Sequence, residues 1–163
     1  MTRYVYAKTP ATLPALARDI ATRMWGVINS ATPIACPALN GYALETSTEG
    51  HGGIVVLSRK AIPVLEQRPT GIDWPLYPRS WQADAAVVSC LRLPAGMVAY
   101  VGEEDCAWGL IVLALPGLAG GLALTWGPDG FGNPRTAERV VAHARETVER
   151  WYPERLGEGG ALV

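Results

Sequence analysis

Potentially reactive side chains gather at two places in this chain. Gly50-His51-Gly52-Gly53 holds one of its two histidines, and Glu103-Glu104-Asp105-Cys106 packs three carboxylates and a thiol into four consecutive positions. An imidazole titrates near neutral pH, and glycine neighbours leave it sterically open, so His51 is suited to proton transfer or metal ligation. With Glu103, Glu104 or Asp105 it would form a catalytic acid–base group. His51 with Glu104 and Asp105 would offer nitrogen and oxygen donors to a divalent metal that activates water.

Each island also has a purely local explanation. Gly50, Gly52 and Gly53 suit a hairpin turn that needs positive φ angles, with His51 pointing to water. Acidic residues in a first helical turn complement the macrodipole by about 0.3–1 kcal/mol each without any ligand. Successive helical side chains diverge by about 100°, so at most two of the three carboxylates would share an ion unless a strand or bend precedes the helix. Cys106 has no lysine, arginine or histidine near it in sequence to favour a thiolate, and reads as a core thiol beside Leu110. His143, between Ala142 and Ala144, reads as a boundary residue of the last helix. Only a meeting of the two islands in space would require a functional account.

The elements that must position them follow from periodicity. Arg3 to Ala7 reads as a first strand, and Thr12 caps a helix from Leu13 to Trp25 with Pro14 in its first turn. Asn29 to Gly41 is dense in loop formers. Tyr42 to Thr48 and Ile54 to Ser58 are strands flanking the histidine turn. Ala85 to Leu93 and Met97 to Val101 form a hairpin across Pro94-Ala95-Gly96. A buried helix opens at the acidic triplet and stops at Pro116. The closing helix takes Asn133 as cap and Pro134 at its first position, repeats its apolar residues from Ala137 to Trp151, and sets Glu146 to pair with Arg150. Pro153 ends it, and Gly157 to Val163 reads as a flexible tail. These elements predict one α+β domain over residues 1–163, a small antiparallel sheet packed against about three helices.

Composition narrows the partners. Fourteen basic against fifteen acidic residues, net charge −1, create no field that would draw nucleic acid or an anionic membrane. Hydrophobic residues make up 49% of the chain, enough for a buried core and for an apolar surface that self-associates or meets a protein partner. The three cysteines, Cys36, Cys90 and Cys106, form no Cys-x-x-Cys pair. Lys8 interrupts any apolar signal region, so cytoplasmic localisation is expected. Ala107 to Pro128 is uncharged and long enough to span a bilayer, but Pro116-Gly117 and Gly120-Gly121 interrupt it, which favours a buried helix, a turn and a buried strand. From Arg68 to Trp81, prolines alternate with Trp74, Tyr77 and Trp81, an aromatic loop suited to gripping a partner or covering a core. Phosphate-loop, zinc-protease, serine-hydrolase and dinucleotide motifs are all missing.

The segments Thr48-x-x-His51-Gly52-Gly53-Ile54 and Tyr100-Val101-Gly102-Glu103-Glu104-Asp105-Cys106-Ala107-Trp108 resemble a loosely defined group of uncharacterised phage- and plasmid-borne proteins, a domain of unknown function. In that group a Thr-Pro-Ser-His-Gly type segment precedes a Glu-Glu-Asp-Cys segment that opens a helix; Trp151-Tyr152-Pro153 is similar to a feature of some members. Here Glu49-Gly50 stands where Pro-Ser is expected. The resemblance implies a small α+β accessory protein of a mobile element that acts by protein binding. Trp74, Tyr77 and Trp81 are then the expected contact residues. The alternative is a small metal-dependent hydrolase using His51 with Glu104 or Asp105.

Overall fold

The computed structural model describes residues 12–66 and 88–163. The strand expected over Arg3 to Ala7 and the aromatic loop expected around Trp74, Tyr77 and Trp81 lie outside the described residues. Along the chain run α1 (Leu13–Trp25), β1 (Ser30–Pro33), β2 (Gly41–Ser47), β3 (Gly52–Ser58), α2 (Pro63–Glu66), β4 (Ser89–Arg92), β5 (Val98–Glu103), α3 (Trp108–Ala114), α4 (Leu118–Trp126) and α5 (Ala137–Trp151). The strands form one antiparallel sheet in the order β1-β2-β3-β5-β4. The fold is α+β as expected, with more helix than the three segments anticipated.

β3 lies at the centre of the sheet, and all seven of its residues are buried. Its alternation feeds two cores, because successive side chains leave a strand on opposite faces. Val55 and Leu57 join Leu44, Ala99 and Val101 beneath α1, which contributes Leu16, Ala17, Ile20 and Ala21. Ile54 and Val56 face the other way with Ala43, Val98 and Tyr100, where α3, α4 and α5 supply Trp108, Leu110, Ile111, Leu118, Leu122, Val140 and Val148. Helices therefore cover both faces, the layered arrangement that buries a continuously apolar strand.

α1 matches its expected limits, with the Thr12 side chain accepting from the Ala15 N–H and Pro14 in the first turn. β4 and β5 pair as the expected hairpin, joined through a single 3-10 turn at Pro94–Gly96. Several local expectations are corrected. β1 emerges from the loop-like stretch after Asn29; it is a four-residue edge strand, the setting in which Pro33 is tolerated. The acidic triplet does not open a helix: Glu103 ends β5, Glu104 and Asp105 lie in the following turn, and α3 begins at Trp108. The apolar stretch after Pro116 is the helix α4 instead of a strand, and it keeps Gly121 because a Cβ there would lie 2.5 Å from the Ala35 carbonyl oxygen. α5 is capped by Thr136, whose hydroxyl accepts from the Arg139 N–H at 3.3 Å, three residues later than Asn133. Asn133 is held out of the helix by Asp129, whose Oδ1 accepts from the Asn133 N–H at 2.9 Å.

Glu146 lies 3.8 Å from His143 Nδ1 in place of an ion pair with Arg150, whose guanidinium stacks over Trp151. After Pro153 the chain hooks back where composition suggests fraying. Leu156 bridges Leu162, and the Val163 N–H donates to the Arg155 carbonyl at 3.1 Å. Ala107 to Pro128 forms two short helices, each with one buried face, and among the described residues no helix is long and apolar enough to cross a membrane.

Candidate functional site

The two islands meet. Gly53 pairs with Glu103 across β3 and β5, the Glu104 N–H donates to the Gly52 carbonyl at 3.0 Å, and His51 Nδ1 lies 3.4 Å from Glu103 Oε1. Thr48 shapes the turn that carries the histidine: its Oγ1 accepts from the Gly50 and His51 N–H groups at 3.3 and 2.9 Å and donates to the His51 carbonyl at 2.7 Å. The expectation of three positive φ angles is corrected, since of Gly50, Gly52 and Gly53 only Gly53 has one. The hydroxyl of Thr48 does the work assigned to glycine conformation.

Glu103 clasps the turn to the start of the helical half. Its Oε1 faces His51, and its Oε2 accepts from the Cys106 thiol at 3.4 Å. Burial pushes that thiol up from its ordinary value, which disfavours the nucleophilic thiolate. Asp105 is exposed. Among the described residues no three histidine, cysteine or acidic side chains gather to hold a metal ion, so His51 and Glu103 stand as a two-donor pair.

Glu104 turns the other way. A Cβ on Gly52 would lie 2.5 Å from the Thr46 carbonyl oxygen and 2.6 Å from Glu104 Oε2, so the strand pairing requires the glycine there and the carboxylate lies in the space it leaves. There it lines a cleft of about 360 Å³ together with Glu45, Gly53, Ile54, Trp108, Trp126, Arg135 and His143. Every layer on this side of the sheet contributes to it: β2, β3, the turn after β5, the ends of α3 and α4, the approach to α5, and α5 itself. The Trp108 and Trp126 rings meet edge to face, with centroids 5.2 Å apart and planes at 77°. His143 lies 5.3 Å from the Trp108 ring.

Glu45 is the chemically distinctive member. It shares the β2 face with Ala43, which packs against the helices, and is half-buried. Its Oε1 accepts the Trp126 indole N–H. Burial raises its carboxyl above the ordinary value, and the nearby Glu104 raises it further while the indole bond opposes the shift. Burial likewise raises Glu104, with the Asp105 and Glu103 charges adding to it and His51 opposing. Two carboxyls with elevated proton affinity thus share a cleft with a guanidinium. Arg135 lies over the Trp126 ring at 5.5 Å, and its buried Nε has no hydrogen-bond partner among the described residues.

Of the expected site residues, Glu104 reaches the cleft, while His51 and Glu103 form the clasp that holds its turn in place. Glu45, Trp126, Arg135 and His143 were not singled out for chemistry. Glu45 carries one local signal, a carboxylate at an apolar parity position of an alternating strand. The other three are ordinary helix and loop residues until α4 and α5 fold over the sheet. The chain matches no family model, no curated protein and no solved structure.

Proposed function

We propose that the protein binds a small polar molecule in the cleft between β2, β3 and the helical layer, with Glu45 as a carboxyl of raised proton affinity facing the ligand. The observation that carries this reading is the convergence of Glu45, Glu104, Arg135 and His143 around two tryptophans in one concave site. Ligand sites commonly combine apolar walls with a few convergent polar groups. The elevated proton affinity of Glu45 is in the direction that suits general acid–base work, since a carboxyl tuned upward holds its proton to higher pH than a free one. The likeness of the Thr48–Ile54 and Tyr100–Trp108 segments to mobile-element proteins suggests the setting, an accessory protein of the cytoplasm.

A small-molecule screen read by the indole N–H signals of Trp108 and Trp126 in nitrogen–proton NMR spectra tests this. Hits are expected to move both signals together, and Glu45→Gln is expected to weaken them at least about tenfold, or about 1.4 kcal/mol, without changing the fold. Hits that leave both indoles unmoved would sink the reading.

Protein binding is a second reading, favoured by Phe131. Its ring is 93% exposed on the loop whose two ends, Trp126 and Arg135, line the cleft. That loop is pinned by Asp129, whose Oδ1 accepts the Phe131 N–H at 3.0 Å and whose Oδ2 lies 3.3 Å from the Arg139 guanidinium.

A further inference from the structure

The cleft is electrically two-ended. On the sheet side stand Glu45 and Glu104, and Glu45 Oε2 makes no hydrogen bond among the described residues while Oε1 is taken by Trp126. On the helix-and-loop side stands Arg135, which has no ion pair among the described residues. Its aromatic contact holds the guanidinium plane, yet leaves the buried Nε–H without an acceptor. Buried donors of this kind are met in nearly all folded proteins, and a guanidinium fork matches a carboxylate in shape. Ile54 and the rings of Trp108 and Trp126 supply the apolar part of the wall, and His143 adds an imidazole from α5.

A ligand that answers both charged sides and the apolar wall carries a cation or strong donor, a carboxylate, and hydrocarbon beside them. We propose that the cleft takes a small zwitterionic amino acid, its ammonium facing Glu45 and Glu104 and its carboxylate facing Arg135. This rests on the reading of the cleft as a small-ligand site and specifies the ligand's chemistry. Neutral or singly charged molecules of the same size would leave either Arg135 or the half-buried Glu45 without a counterpart, at the desolvation cost that makes such sites discriminate.

Two ligand series, titrated into the unmodified protein and read at the Trp126 indole signal, test the proposal. One comprises L-leucine, 4-methylpentanoate and 3-methylbutylamine; the other comprises 6-aminohexanoate, hexanoate and hexylamine. In at least one series the zwitterion is expected to bind ten-fold or more tightly than both of its singly charged analogues. Arg135→Met is then expected to abolish the advantage over the amine, and Glu45→Gln to reduce the advantage over the acid. Equal binding within both series, or zwitterion binding that leaves the Trp126 signal unmoved, overturns the proposal even if other small molecules occupy the cleft. Failure of every small molecule at the cleft removes the underlying reading as well.

Discussion

Glu45 accepts the Trp126 indole bond, neighbours Glu104, and owes its raised proton affinity first to burial. Each influence has a sign that substitution can reverse. Trp126→Phe removes a hydrogen bond that favours the charged form, so the Glu45 titration midpoint is expected to rise. Glu104→Gln removes a like charge, so the midpoint is expected to fall. Carboxyl carbon shifts followed against pH measure both, and movement in either opposite direction would refute this account of the site. The same elevation links to stability. The folded chain holds the Glu45 proton to higher pH than the unfolded chain does, so this contribution to stability is present below the unfolded value and is lost as pH rises through the folded one. Glu45→Gln is therefore expected to flatten the decline in melting temperature from the ordinary carboxylate range toward neutrality.

At the scale of elements, α3 and α5 approach one another closely at a small residue. Gly109 on α3 faces α5, and a Cβ there would lie 2.7 Å from the Ala144 carbonyl oxygen and 3.1 Å from Val148 Cγ2. The backbone oxygen cannot move aside as a flexible side chain would, so Gly109→Ala is expected to cost about 1–3 kcal/mol. Denaturant midpoints would measure it. Because α3 begins at Trp108 and α5 carries His143, the same substitution is expected to shift the Trp108 indole signal; an unchanged spectrum and midpoint would show that the helices adjust freely. The His51–Glu103 pair lies at the opposite extreme. It is 65% and 28% exposed at its two side chains, and surface pairs of this kind are worth about 0–1 kcal/mol, so its role is to place the turn more than to stabilise the fold.

For the molecule as a whole, two cores separated by one buried sheet leave large apolar side chains outside both. Phe131 and Leu124 are 93% and 83% exposed. If the second reading holds, Phe131 anchors a partner or a second copy of the chain, and Phe131→Ser is expected to abolish concentration-dependent association in sedimentation velocity. A monomer at every concentration, with no partner recovered on purification, would count against that use of the surface. Local order was legible in the chain because it is written in nearest neighbours. Thr12 and Pro14 start α1, a β-rich stretch and a continuous apolar run on either side of the histidine turn mark β2 and β3, and Pro-Ala-Gly turns β4 into β5. Where neighbours offered two options, the reading failed: Thr136 displaced Asn133 as cap because Asp129 had already engaged Asn133, and Gly120-Gly121 stayed helical against the Ala35 backbone. The sequence by itself determined the α+β class, the strands flanking the histidine turn and the reactive islands, since periodicity and residue chemistry are local properties. Tertiary structure alone decided which groups share a site. The pairing of β3 with β5 joins His51 to Glu103 and directs Glu104 over Gly52; the folding of α4 and α5 across the sheet brings Trp126, Arg135 and His143 to Glu45. Those meetings depend on long-range packing, so no spacing in the chain records them.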